Sequence, residues 1–265
     1  MRGFYYYAES MPAPLTAGEI LEETIEDGRE ELSRGSAGLA LSGFGAGLNV
    51  SFSAAALGVV GALSGGVGLL AYAAYPIGFI FVMMSRQQLF TTNTVTPVVV
   101  VLDKDRSELT NMLRLWGILF VTNILGALVF AFAVSHTEIL PSSALNLLVE
   151  EAAHKMENGF WTLALKGVVG GWLVAFIVWL VAAARDTMSQ LLLIWGPVFL
   201  IPATGLVHCI AGSSEVMISV FAGETSWGEF LVGFLLPATL GNAIGGVILV
   251  TLLNYGQVIG SEPET

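Results

Sequence analysis

The sequence predicts an all-α membrane protein of six transmembrane helices, built as an inverted repeat of three plus three with broken second and fifth helices. Three observations predict it. The 265-residue chain is 55% hydrophobic and only 12% charged, about half the charged share of a soluble domain. Its apolar residues fall into six runs separated by polar breaks. One register of 119 residues relates the first three runs to the last three.

The charge is unevenly placed. Eight of the 21 acidic residues lie in the first 31 positions, whereas Arg86 is the only charged residue between Ser36 and Leu102. A stretch that apolar crosses a bilayer twice at about 20 residues per span. The runs cover residues 36–62, 67–101, 112–134, 160–184, 190–222 and 229–254. They divide the chain into an acidic N-terminal segment (1–35), a membrane domain (36–255, with repeats 36–134 and 160–254) and a short tail (256–265). Thr16-Ala17-Gly18-Glu19 matches a capping box. It opens a short helix with Ile20, Leu21, Ile25 and Leu32 on its apolar side, either lying along the inner surface or standing as a solvated leader.

The acidic N-terminus predicts no cleavable signal peptide. Basic residues in short flanks then set the orientation. With both termini cytoplasmic, Arg2, Arg29, Arg34, Lys104, Arg106, Arg114 and Arg185 lie inside, and Lys155 and Lys166 lie outside. A net charge of −11 without a basic stripe excludes nucleic acid as a partner. The single cysteine, Cys209, excludes an internal disulfide.

The repeat rests on two matches at one offset. Asn123-Ile124-Leu125-Gly126-Ala127 in the third run echoes Asn242-Ala243-Ile244-Gly245-Gly246 in the sixth, and 242 − 123 = 119. The polar breaks share that offset, since 208 − 89 = 119 sets His208 opposite Leu89. An odd number of spans per half turns the second half upside down, a plan of transport proteins whose pathway lies at paired helix breaks. Broken helices free backbone groups that hydrocarbon cannot satisfy, and two half-helix N-termini at one point attract an anion. The alternative is a pair of silent kinks at Pro97, Pro197 or Pro202.

His208 is the histidine within the apolar runs, and an intramembrane ionisable group marks a functional site. The alternative is a structural plug bonded to a carbonyl. With no second ligand at suitable spacing, no metal and no cofactor are expected. Glu215 follows His208 by seven residues, close to two turns along one helix face. It lines the pathway or sits at an interface. Arg86 concentrates anions at the inner mouth or snorkels to the membrane surface. Phe79, Leu89, Phe90 and Tyr75 form constrictions or belong to an ordinary core. Catalysis is poorly supported. His208 and Ser214 fall about 240° apart on one helix, and a phosphate-binding G-x-x-x-x-G-K loop is absent.

From about Thr16 to Tyr255 the chain resembles the formate/nitrite transporter family. The residues that carry the likeness are Leu89-Phe90-Thr91, Gly205-Leu206-Val207-His208, and the run from Leu236 to Gly246 (Leu-Pro-Ala-Thr-Leu-Gly-Asn-Ala-Ile-Gly-Gly). The resemblance implies an aquaporin-like protomer in a homopentamer of the inner (plasma) membrane, with one pore per subunit. It implies cargo such as formate, nitrite, hydrosulfide, lactate or acetate, often with a proton. By that resemblance His208 is the central pore histidine and Thr91 its loop partner. Leu89, Phe90 and Phe79 form the inner constriction, and Tyr75 and Ile201 the outer one. Lys155 matches an outer-vestibule lysine, and Asn242 the asparagine of the sixth helix. Val207 stands where the family carries an acid, Arg86-Gln87-Gln88 replaces small residues, and Gly171 replaces an asparagine. With Thr92-Asn93-Thr94 and Glu215, these departures resemble the YfdC-like branch. A channel or transporter for small weak-acid anions is therefore expected. A neutral-solute or water channel and a non-conducting scaffold or sensor are the alternatives.

Overall fold

A computed structural model describes residues 15–103 and 106–261. Arg2, Lys104 and the end of the tail, which entered the sequence reading, lie outside the described residues. Among the described residues the chain forms helices and no strand.

Helix α1 (Ala17–Ser33) begins at Thr16, and both arms of its capping box are formed. Ile20 and Leu21 pack against Val99 and Trp179, and Leu32 packs against Val98, Val100 and Met112. The acidic leader is thus a docked helix. Arg114 fixes its C-terminal end by donating to the carbonyls of Leu32 and Arg34 at 3.0 and 3.1 Å.

The first span is α2 (Ser36–Val50) and α3 (Phe52–Ser64), joined at Ser51. The second is broken into α4 (Leu69–Ala74) and α5 (Ile77–Met84), then a loop with one 3₁₀ turn, then α6 (Thr96–Leu102). Long helix α7 (Leu109–His136) is the third span. Helix α8 (Ser142–Met156) caps the end opposite α1, packing on α3 where Gly58 lets the Ala144 carbonyl and Leu148 approach. It falls between the apolar runs 112–134 and 160–184. The fourth span is α9 (Phe160–Ala183). The fifth is broken into α10 (Thr187–Ala203) and α11 (Ala211–Phe221). The sixth, residues 229–259, alternates π-helical turns with α12 (Leu236–Ile244) and α13 (Leu253–Ile259).

Polar side chains are buried while large apolar ones face outward. Leu63, Trp161 and Leu165 are 83%, 77% and 68% exposed, whereas His208, Asn123 and Asn242 are at most 1% exposed. That inversion is what a bilayer solvent selects.

The two halves repeat in atomic detail. Asn123 Nδ2 donates to the carbonyls of Gly43 (2.7 Å) and Gln88 (3.0 Å), and its Oδ1 accepts from the Phe90 amide (2.8 Å). Asn242 Nδ2 donates to the carbonyls of Gly167 (2.7 Å) and Val207 (3.1 Å), and its Oδ1 accepts from the Cys209 amide (2.8 Å). Each asparagine therefore satisfies backbone that its broken helix frees. Gly47 and Gly171 let these clasps close, because a Cβ on either would overlap the backbone of Asn123 or Asn242. A Cβ at 171 would meet the Asn242 backbone, so the close approach of α9 and α12 here relies on glycine.

The breaks are mirrored too. Both first half-helices end in a Schellman turn: Gln87 N donates to Val82 O (3.0 Å), and Leu206 N donates to Ile201 O (2.9 Å). The left-handed residue is Arg86 (φ 53°) in one and Gly205 (φ 67°) in the other. Pro197 and Pro202 lie inside continuous α10 and Pro97 in the first turn of α6, so the breaks are not proline kinks. Left-handed backbone strains a residue that carries Cβ, so Arg86→Gly is expected to stabilise the fold by about 1 kcal/mol. Heating in detergent and following the size-exclusion peak checks this, and a less heat-resistant variant would refute it.

Candidate functional site: the meeting of the two helix breaks

The loop after α5 is held from all sides. Gln88 N donates to Ser42 Oγ (3.1 Å), Asn93 Nδ2 to Gln88 Oε1 and Leu89 O (2.8 Å each), and Trp116 Nε1 to Asn93 O (2.8 Å). So fixed, it presents Thr91. The loop after α10 presents His208, and Thr91 Oγ1 lies 2.7 Å from His208 Nε2. His208 Nδ1 accepts from the amides of Ile210 (3.3 Å) and Ala211 (3.1 Å). In a neutral ring that leaves Nε2 as the protonated nitrogen, donating to Thr91. The threonine hydroxyl keeps its own hydrogen for another acceptor.

This changes two expectations. The first amides of α11 are taken by the His208 ring, and those before α6 by the carbonyls of Leu89, Thr91 and Thr92. These amides of the half-helix termini are thus satisfied internally rather than by an anion. His208 also precedes α11 rather than sitting on it, so no helix face joins it to Glu215. The hydroxyls of Ser213 and Ser214 donate to the carbonyls of Cys209 and Ala211; neither approaches the imidazole as a nucleophile would.

Apolar groups flank the centre. The Phe79 ring meets His208 edge-on at 5.0 Å, and Tyr75 lies 6.2 Å beyond Phe79. Leu89 and Ile201 are fully or almost fully buried. The Phe90 ring is engaged by Trp116 and Phe120 at 5.8 and 5.3 Å.

The two ends differ. At the end opposite α1, Lys155 from α8 forms an ion pair with Glu215 of α11, and the Tyr75 hydroxyl donates to the other Glu215 oxygen at 3.5 Å. Spacing could not reveal this pair, since 60 residues separate its members. At the α1 end a cavity of about 790 Å³ is lined by Arg86, Gln87, Gln88, Thr92 and Thr96 and by acids of α1. Arg86 is among the residues that line this cavity. One acid of α1 stands apart. Glu31 is partly buried, accepting from Gln88 Nε2 (3.1 Å) and from Thr96 Oγ1. Burial pushes its carboxyl up to about 7. The sequence missed Glu31 and Gln88. The signal was present in the spacing of Leu21, Thr24, Gly28 and Leu32, which puts Glu31 beside the docked face of α1.

Fold and site together define an integral membrane protein of the inverted-repeat channel and transporter type. A sequence model of the formate/nitrite transporter family matches residues 18–256. The chain belongs to that family. It is 34% identical over 251 residues to the inner membrane protein YfdC of Escherichia coli (strain K12), covering 92% of this chain and 80% of that protein. A solved structure titled "FNT family ion channel" matches with a TM-score of 0.79 at 20% identity, over 92% of this chain and all of the other. A pentameric formate channel with formate bound matches with a TM-score of 0.69 at 20% identity, over 84% and 98%.

Proposed function

We propose that each protomer passes small monovalent weak-acid anions, of the formate and nitrite class, along an axis between the two helix breaks. The observation that carries this reading is the Thr91–His208 hydrogen bond, a single polar contact joining both breaks inside an apolar surround. A naked anion between Phe79, Leu89 and Phe90 on one side and Tyr75 and Ile201 on the other would meet a large desolvation cost. The same species carrying a proton avoids most of that cost. Thr91 donates its free hydroxyl hydrogen to the cargo's oxygen while His208 holds Thr91 in place. A pentamer with one path per subunit in the plasma membrane, its α1 end and both termini cytoplasmic, fits the pentameric formate channel and the distribution of basic residues. Entry at the α1 end runs past Arg86; entry at the other runs past Lys155.

His208→Asn is the test. The asparagine oxygen still reaches the Ile210 and Ala211 amides, but the contact with Thr91 is lost. Formate uptake into proteoliposomes is expected to fall at least about tenfold, the rate equivalent of one hydrogen bond of about 1.4 kcal/mol. The variant should elute at wild-type size. Unchanged uptake would return His208 to a structural role. The same assay run with nitrite, acetate, lactate and hydrosulfide ranks the cargo.

A further inference from the structure

We infer that Glu215 sets the charge selectivity of the mouth opposite α1, holding Lys155 so that the mouth favours the uncharged acid over its anion. The inference rests on the pathway reading above and names the form of the cargo that this end admits. Glu215 is 1% exposed at its side chain and Lys155 19%, so the carboxylate lies deeper than the ammonium. A carboxylate that deep is tolerable only when paired. It lies where the carboxylate of an incoming anion would bind the lysine. Glu215 belongs to rigid α11, which puts its effective concentration at Lys155 far above that of any dissolved anion. An arriving anion therefore meets a neutral pair in place of a free cation, with the Glu215 carboxylate on its inner side. A neutral acid meets no such repulsion.

Nearby geometry continues the chain inward. Tyr75 ties the second Glu215 oxygen to the Phe79 ring, and Phe79 contacts His208. The pair thus stands directly before the apolar stretch that only an uncharged species crosses readily. The opposite mouth is no more attractive to anions, being lined by five carboxylates and three guanidinium groups. Lys166, on α9 beside Gly205, is the other lysine of the Lys155 end; the variants below leave it in place.

The experiment compares formate with formamide, an uncharged analogue of nearly the same shape, in proteoliposomes at pH 7. Glu215→Gln keeps the side-chain shape and frees Lys155. It is expected to lower the formate KM about tenfold and to raise the formate-to-formamide uptake ratio by the same factor. The double variant Lys155→Gln/Glu215→Gln removes both charges and should return the ratio to within about twofold of wild type. Lys155→Gln alone leaves an unpaired carboxylate and should lower the ratio; this arm decides the matter where Glu215→Gln does not assemble. A ratio indifferent to Glu215→Gln, or a double variant that stays high, would overturn the inference while leaving the pathway reading intact. Formate uptake absent from wild type and all variants would overturn both. Uptake absent from wild type but present in Glu215→Gln would support the inference and sink the plain anion reading.

Discussion

Asn242→Leu is expected to abolish assembly of a folded protein. The substitution keeps the branched shape and removes all three clasp bonds, leaving the Cys209 amide and the Val207 carbonyl buried in a non-helical loop without partners. Each such orphan costs about 1–3 kcal/mol in a protein interior, and water cannot reach them from a bilayer. The summed loss, about 4 kcal/mol, is a large share of a typical domain's total stability. Asn123→Leu strips the Phe90 amide and the Gln88 carbonyl in the same way and should cost a similar amount. Fluorescence size-exclusion of both variants in mild detergent, before and after heating, reads the result. A monodisperse peak with wild-type heat resistance would mean that the clasps do not hold the breaks.

Docking of α1 is expected to weaken as pH rises, with Glu31 responsible. The docked carboxyl titrates near 7 against 4.5 for a free one, because burial disfavours its charge more than the bonds from Thr96 and Gln88 favour it. Asp27 adds repulsion and Arg34 a smaller attraction. The sign follows from proton binding. Between pH 4.5 and 7 the docked helix holds a proton that the released helix has lost. Raising pH through that window therefore favours release. Below it both forms are protonated, docking is strongest and pH has no further effect; above pH 7 both are ionised and the loss is complete. The full swing is at most about 300-fold in the docking equilibrium, a few kcal/mol. Deuterium exchange of α1 amides at pH 5 and pH 8 measures it. Glu31→Gln should give nearly pH-independent protection relative to the intrinsic exchange rate, close to the low-pH protection of wild type. An α1 exchange rate that rose only as expected from intrinsic chemistry in both proteins would rule Glu31 out.

Much of this architecture was legible because a bilayer penalises polar groups so heavily. An asparagine in the middle of an apolar run has a reason to be there, so Asn123 and Asn242 betrayed the repeat, and the polar stretches betrayed the breaks. A second register went unread. Gly43 and Gly47 pair with Gly167 and Gly171 at an offset of 124, since 167 − 43 = 171 − 47 = 124. The five-residue difference from 119 lies in the spans themselves, since 64 − 47 = 17 residues run from Gly47 to the end of α3 and 183 − 171 = 12 from Gly171 to the end of α9. Small residues are so common in membrane helices that the match carried no signal by itself.

Helix α8 was missed for another reason. Ala144, Leu148 and Ala152 give it a buried stripe, but His154, Lys155 and three acids nearby made the segment read as exposed loop. Nor does composition say which acid of α1 reaches Gln88 and Thr96, because that depends on where α6 begins. Glu215 was misread through periodicity. Helical spacing ties it to His208 only if both sit on one helix, and the histidine lies in the loop that precedes α11.

The clasps also bear on how the chain is made. All bonding partners of Asn123 lie between residues 43 and 90, and all those of Asn242 between 167 and 209. Each clasp therefore closes within its own half, and the N-terminal half emerges first from the ribosome. Once α7 has been synthesised, the loop bearing Thr91 has every contact Asn123 supplies. The second half is then still unmade. Thr91 is set in position before its histidine partner exists, so the later half assembles against a template already in the bilayer.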